Sequence, residues 1–252
     1  YQLKIGDQLV RNLRLSGETI AKIFTNKITN WNDPAITKDN NGRKFPSLPI
    51  KPVVRSDGSG TTAQFTTWMD HEYPSIWRPY FGQSGLTSYY PKHGGLMISQ
   101  AGSDQVMNTI KGYAGNGTIG YVEYSYPVNA DYPVVKVLNK ANYFVEPTQY
   151  NTAVALTKAK INQDKGSQLY LTQILDGVYA NPEPRAYPLS SYSYMIIPIG
   201  KNDPRMTTAK RQTLADFLYY SLCSGQTKAG AYGYSPLPLN LVQAGFSQIA
   251  KL

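Results

Sequence analysis

Eight consecutive residues, Arg55-Ser56-Asp57-Gly58-Ser59-Gly60-Thr61-Thr62, hold the densest set of groups able to bind an anion. Arg55 offers a planar guanidinium fork that suits a tetrahedral oxyanion. Asp57, two residues on, can hold that fork in place. Ser59, Thr61 and Thr62 add short, neutral hydroxyl donors. Gly58 and Gly60 let the backbone turn tightly and approach a ligand with no Cβ in the way. A β-rich run, 50–54, leads in and an amphipathic run, 63–69, leads out, so the segment reads as strand, glycine loop, helix start. Ser59 or Thr61 caps that helix, whose first N–H groups have no internal partner and whose dipole favours negative charge. The chemistry is oxyanion binding without a metal. The same pattern also suits a loop that only caps a helix. It is not a Walker loop, because no Lys follows the second glycine, and it is not a nucleophile elbow of the form G-x-S-x-G.

The elements that must position this loop follow from pattern. Residues 1–14 read as a strand or hairpin turning at Gly6-Asp7. Ser16 caps a helix with Ile20, Ile23 and Phe24 on one face. Residues 30–34 are turn chemistry with Trp31 packed beneath, and 37–43 are a polar loop. Pro46 and Pro49 frame the strand that delivers the glycine loop, and the helix from Thr61 runs to about Asp70. Residues 73–98, rich in Pro, Gly and aromatics, read as an irregular packed excursion. Ser103-Asp104 caps a helix carrying Val106, Met107 and Ile110 that ends at Gly112. Asn116-Gly117 is a turn. Residues 118–124 and 134–138 read as strands, with Glu123 of the first in a structural ion pair. Thr148 opens a helix through Leu156, and Ser167 another through Leu175. Beyond Pro182, Pro184 and Pro188, the apolar run 192–199 reads as a strand. Thr207 or Thr208 caps a long helix with Leu214, Phe217, Leu218 and Leu222, and a last helix from Asn240 carries Val242, Phe246 and Ile249. Strands alternating with helices argue an α/β fold.

The 252 residues suffice for one large or two modest domains, and 41% hydrophobic content supports a real core. No apolar run approaches the ~20 residues of a membrane span. The formal net charge of +9 attracts anions and anionic surfaces. Lys and Arg are dispersed with no run of five, which argues against a nucleic-acid patch. A single cysteine, Cys223, excludes an internal disulfide and reads as a buried small residue in an apolar helical run. With only His71 and His93 beside it, no metal-ligand spacing exists, and no cofactor motif is present. The 21 tyrosines, with many Asn, Ser and Thr, have the flavour of a secreted protein.

At the 55–62 loop the chain resembles the periplasmic phosphate-binding proteins that serve phosphate ABC transporters. Three more stretches agree with that family in order and spacing. They are Lys27-Ile28-Thr29-Asn30-Trp31-Asn32-Asp33-Pro34-Ala35-Ile36, Gly117-Thr118-Ile119-Gly120-Tyr121-Val122-Glu123-Tyr124, and Tyr234-Ser235-Pro236-Leu237-Pro238. The resemblance implies a type II periplasmic-binding-protein-like α/β fold with phosphate in the cleft between two lobes. It implies that Arg55, Asp57, Ser59, Gly60 and Thr61 supply the second lobe's share of the site. It further implies an extracytoplasmic protein, lipid-anchored or secreted, whose partner is a membrane ABC permease. The family's first-lobe segment, with its Thr-Phe turn, serine loop and second aspartate, has no counterpart. The expectation is one complete central lobe, 16–185, with 1–15 and 186–252 as the remnant of the first lobe and its hinge strands.

Two other function classes compete with phosphate reception. A phosphate-ester hydrolase could use Ser59 or Thr61 as nucleophile, but neither histidine lies in a motif that supplies a base. A cell-surface structural or interaction module could carry a vestigial loop. Arg55 and Asp57 discriminate, because a vestigial loop has no need of a charged fork.

Overall fold

Gly6, in the left-handed region at φ +60°, turns β1 (Lys4–Ile5) into β2 (Gln8–Leu9), so the chain opens as the expected antiparallel hairpin. The computed structural model describes residues 1–252. After β3 (Arg14–Leu15), Ser16 accepts the amide of Thr19 and caps α1 (Gly17–Phe24). The helix buries Ile20, Ala21, Ile23 and Phe24. The polar loop expected over 37–43 is partly helical. Asp33 caps α2 (Pro34–Asp39), and Pro34 in its first turn has a φ already set for a helix.

The loop-bearing layer is a three-stranded parallel sheet. Its central strand is β4 (Lys51–Arg55), which leads through the glycine loop into α3 (Gly60–Glu72). The irregular excursion expected over 73–98 contains a helix, α4 (Pro74–Phe81). Proline starts it, buried Ile76 and Trp77 anchor it, and Gly82 at φ +84° ends it. The chain returns as β5 (Ile98–Gln100), crosses by α5 (Gly102–Lys111), and adds β6 (Thr118–Gly120). The order is β5-β4-β6, with Arg55 opposite Gln100 and Val53 opposite both Ile98 and Gly120. Pro52 is tolerated in this central strand because β5 pairs with β4 only from Val53 onward. The strand expected over 118–124 stops at Gly120, where its register with β4 ends. Residues 121–124 peel away beside the loop.

After α6 (Ser125–Asn129), β7 (Lys136–Leu138) pairs parallel with β3 and antiparallel with β8 (Phe144–Val145). Thr148 caps α7 (Gln149–Leu156) as expected. The helix expected from Ser167 is absent. The chain instead forms β9 (Lys160–Ile161) and β10 (Gln173–Ile174), then a short α8 (Asp176–Tyr179). Asp164 and Ser167 accept the amides of Gly166 and Leu169, and Leu171 sits at φ +68°. Local side-chain turns outcompete the helix.

Thr207 caps α9 (Thr208–Leu222), a 3₁₀ stretch covers Ser224–Tyr232, and α10 (Leu239–Ile249) follows. The strand expected over 192–199 does not form. No neighbouring strand offers a ladder, and Ile196 is 95% exposed. Cys223 is exposed rather than buried, because it follows a helix of which only Leu218 is buried.

One cluster of thirty buried residues forms the core, including Trp31, Trp68 and Trp77. Tyr1, Leu3, Val10, Leu13 and Leu15 belong to it, so the first fifteen residues share the core of the central segment. Each buried Leu or Ile contributes about 1.5–3 kcal/mol. Gly117, at φ +90°, knits the layers. Its carbonyl accepts Trp31 Nε1 at 3.1 Å and the Lys51 amide at 2.9 Å, and its own amide donates to Gln2 at 2.8 Å. The buried residues of α9 and α10, Leu218, Leu241 and Ile249, lie outside that cluster.

Candidate anion-binding site

β4 ends by delivering Arg55 to the sheet's C-terminal edge, and the next turn returns Asp57 onto it. Arg55 Nε donates to Asp57 Oδ1 at 2.7 Å and Nη2 donates to Oδ2 at 2.5 Å, a two-pronged pair. Nη1 donates to Ser103 Oγ at 3.3 Å. Three of the five guanidinium N–H groups are thereby used and two remain. The Asp57 carboxylate also accepts the Gly102 amide at 3.1 Å. The Arg55 hydrogen bonds first, then the Gly102 amide, hold Asp57 well below the usual carboxylate range. The hydrogen bond to Asp57 pushes Arg55 up. The Arg55 side chain is 12% exposed, so its charge is sheltered.

Ser59 caps α3, its Oγ accepting the Thr62 amide at 3.1 Å. Of the two residues expected to cap, Ser59 does so. Its hydroxyl proton is left free for an acceptor. The amides of Gly60 and Thr61, at the first two positions of this thirteen-residue helix, find no acceptor in the chain, and neither does that of Gly58. Free amides and the positive end of the helix dipole therefore converge within a few residues of a sheltered guanidinium. A Cβ at Gly58 would lie 2.9 Å from the hydroxyl of Tyr89, the tip of an exposed side chain that can move aside.

The expected residues Arg55, Asp57, Ser59, Gly60 and Thr61 thus lie on one turn. Thr62 does not serve as a ligand donor. It is fully buried, and its Oγ1 is spent on Tyr121 at 2.8 Å. Ser103, expected as a helix cap, instead accepts from Arg55, and Ala101 occupies the cap position of α5. Glu123, expected in an ion pair, accepts the hydroxyl of Thr61 at 3.3 Å. Tyr121 and Ser103 carried no signal in the loop's own sequence, because strand pairing alone brings them there. A cavity of about 540 Å³ lies elsewhere, at the start of α1, and shares no residue with this loop.

Residues 5–224 match a family model described as a PBP superfamily domain. The phosphate-binding protein PstS of Methanocaldococcus jannaschii is 32% identical across 98% of this chain and 62% of its own length. The phosphate-binding protein PstS of Xylella fastidiosa is 32% identical across 92% of this chain and 58% of its own length. The chain spans about three fifths of the length of these curated relatives. A phosphate-binding protein from Stenotrophomonas maltophilia superposes with a TM-score of 0.68 at 18% identity, over 94% of this chain and 65% of the other. A high-affinity periplasmic phosphate-binding protein, solved with phosphate bound, superposes with a TM-score of 0.66 at 18% identity, over 93% of this chain and 64% of the other. At that identity the likeness is one of fold: mixed α/β, of the periplasmic-binding-protein type.

Proposed function

Because this chain belongs to the PBP superfamily, we propose that it is the anion-contacting part of a phosphate receptor serving an ABC uptake system. Inorganic phosphate is held by Arg55, Ser59, Gly60 and Thr61, with Asp57 clamping the guanidinium. One observation carries the reading: a sheltered Arg55 fork fixed by Asp57, beside the unpaired amides of Gly60 and Thr61. The phosphate-binding names of the relatives support the choice of ligand.

In this reading residues 16–185 are the central, second lobe, and 1–15 and 186–252 are the remnant of the first lobe and its hinge strands, the apolar side chains of 1–15 lying in the central core. The remaining wall of the cleft comes from a first-lobe segment. The receptor works outside the cytoplasm and hands phosphate to a membrane permease. No helix of the chain is long and apolar enough to cross a membrane. Phosphate carries a proton that sulfate lacks, and a carboxylate acceptor can exploit this. Asp57 is committed to Arg55, so the acceptor belongs to the first-lobe segment. Turnover is not part of this role. His71, the nearest base by sequence, sits at the far end of α3 from Ser59 and is paired with Glu72.

Calorimetry on the full-length receptor tests the site. Arg55→Ala removes charged hydrogen bonds worth about 1.5–3 kcal/mol, a tenfold or greater loss of phosphate affinity. Equal affinities for the two proteins would remove the loop from the proposal. The 252-residue chain alone leaves the ion hydrated on its far side, where each charge contact is weaker. It binds phosphate only weakly, and tight phosphate-selective binding by it would defeat the two-walled reading.

A further inference from the structure

The turn between β5 and α5 is spent on the 55–62 loop and not on its own helix. Ala101 holds the cap position of α5 and has no side-chain acceptor to give it. Ser103, the second residue of α5, turns its hydroxyl to Arg55 instead. A hydroxyl at a helix start ordinarily serves the helix's own free amides. Ser103 is also buried, where a polar group needs a partner in the chain. Helix capping therefore does not account for this serine.

Gly102, at φ +73°, bends the chain so that two successive residues reach the two halves of one ion pair. Its amide donates to Asp57 Oδ1 at 3.1 Å, and Ser103 Oγ accepts from Arg55 Nη1 at 3.3 Å. The turn is anchored to the loop as well. The Ser56 amide donates to the Gln100 carbonyl at 3.0 Å, and Gln100 stands opposite Arg55 in the parallel ladder.

Asp57 grips one edge of the guanidinium, through Nε and Nη2. Held only to each other, the two side chains could swing together as one flat unit about their own single bonds. Two points outside the pair oppose that motion: the Gly102 amide on the carboxylate and the Ser103 hydroxyl on the guanidinium. Ser103 meets Nη1 and not Nη2, whereas an acceptor at the end of the fork lies near both nitrogens. That puts Ser103 on the flank of Nη1, beside Cδ. The two N–H groups left over are then neighbours, one on each Nη, adjacent and parallel. Such a pair meets two oxygens of a tetrahedral ion at once. We propose that Ser103 is a positioning residue of the anion site, holding the Arg55 guanidinium in the plane in which its free end binds an oxyanion through two parallel hydrogen bonds. Ser103 itself does not touch the ion. The role rests on the phosphate reading above and adds to it a residue 48 positions from Arg55.

Phosphate calorimetry on the full-length receptor tests this with Ser103→Ala, Ser103→Thr, Arg55→Ala and the double variant of Ser103→Ala with Arg55→Ala. Ser103→Ala should weaken phosphate binding about fivefold. Ser103→Thr keeps the hydroxyl and should restore most of that affinity. In the Arg55→Ala background, Ser103→Ala should cost nothing more, because the serine acts only through the guanidinium. A serine that merely packs the turn would show the same loss in both backgrounds. An Arg55→Ala receptor that binds like wild type would overturn the phosphate reading, and the role of Ser103 with it. A loss in Arg55→Ala with none in Ser103→Ala would overturn the inference alone and leave the phosphate reading standing. So would a Ser103→Ala loss that persists undiminished without Arg55, or a threonine variant as weak as the alanine one.

Discussion

The hydroxyl of Tyr121 lies 2.8 Å from Oγ1 of Thr62 and accepts the backbone amide of Arg55 at 3.3 Å. One side chain on the segment after β6 thus ties the end of β4 to the first turn of α3, bracing both ends of the glycine loop. It is 66 residues from Arg55 in sequence and adjacent only because β6 pairs with β4. Phe65, at 4.8 Å, and Phe24, at 5.9 Å between ring centroids, hold the Tyr121 ring in place.

Tyr121→Phe keeps the ring and removes the brace. The Arg55 amide and the Thr62 hydroxyl lose their partner, which should cost about 1–3 kcal/mol of folding stability. In the full-length receptor it should also weaken phosphate binding, because the loop is less well fixed. Urea denaturation and calorimetry read the two effects, and an unchanged midpoint would deny the brace any role.

Asp57→Asn tests the clamp through its acid dependence. The folded carboxylate titrates below the unfolded one. Its stabilising contribution is therefore complete above the unfolded value of about 3.9 and fades as pH falls through that value toward the lower folded one. The variant should be less stable than wild type near neutral pH, with the gap narrowing at about pH 3. A gap independent of pH over that window would mean that the Arg55–Asp57 pair does not contribute through charge.

Gly117→Ala should destabilise the chain by at least about 1–2 kcal/mol, the cost of a left-handed residue with a Cβ. The added carbon would also lie 2.6 Å from the Pro49 carbonyl, which belongs to backbone and cannot swing aside. Thermal unfolding reads this directly. Wild-type behaviour would show that the turn relaxes without loss to Trp31, Lys51 or Gln2.

Met195, 62% exposed, Ile196, 95% exposed, and Ile199, 51% exposed, sit on a segment without strand partners. The 252-residue chain should associate with itself as concentration rises, and Met195→Lys with Ile196→Lys should reduce that association. Sedimentation velocity decides. Identical concentration dependence for the two proteins would acquit this segment.

Much of the fold was legible where a local rule was sufficient. Ser16, Thr148 and Thr207 cap the helices that their side chains announce, and Gly6 turns the hairpin. The loop's charged pair was legible for the same reason, since Arg55 and Asp57 are two residues apart. What failed depended on partners distant in sequence or on local side-chain bonds that compete with a helix. The run 192–199 has the composition of a strand, but a strand exists only by pairing. The 167–175 segment has apolar spacing for a helix, but Asp164 and Ser167 bind nearby amides first. Tyr121, Ser103 and Glu123 reach the site by tertiary contact, and nothing in the 55–62 residues points to them.

Asp57 is held low and Arg55 high by their mutual hydrogen bonds, so both keep their charge throughout the acidities at which phosphate gains or loses its second proton. The loop is in that sense a frame of constant charge. Any change in its grip between weakly acidic and weakly alkaline surroundings must originate in the ion itself or in the opposing wall of the cleft. If the loop holds phosphate as proposed, its own charges add nothing to the pH dependence of binding, which then reports the protonation of the ion and of the groups that face it.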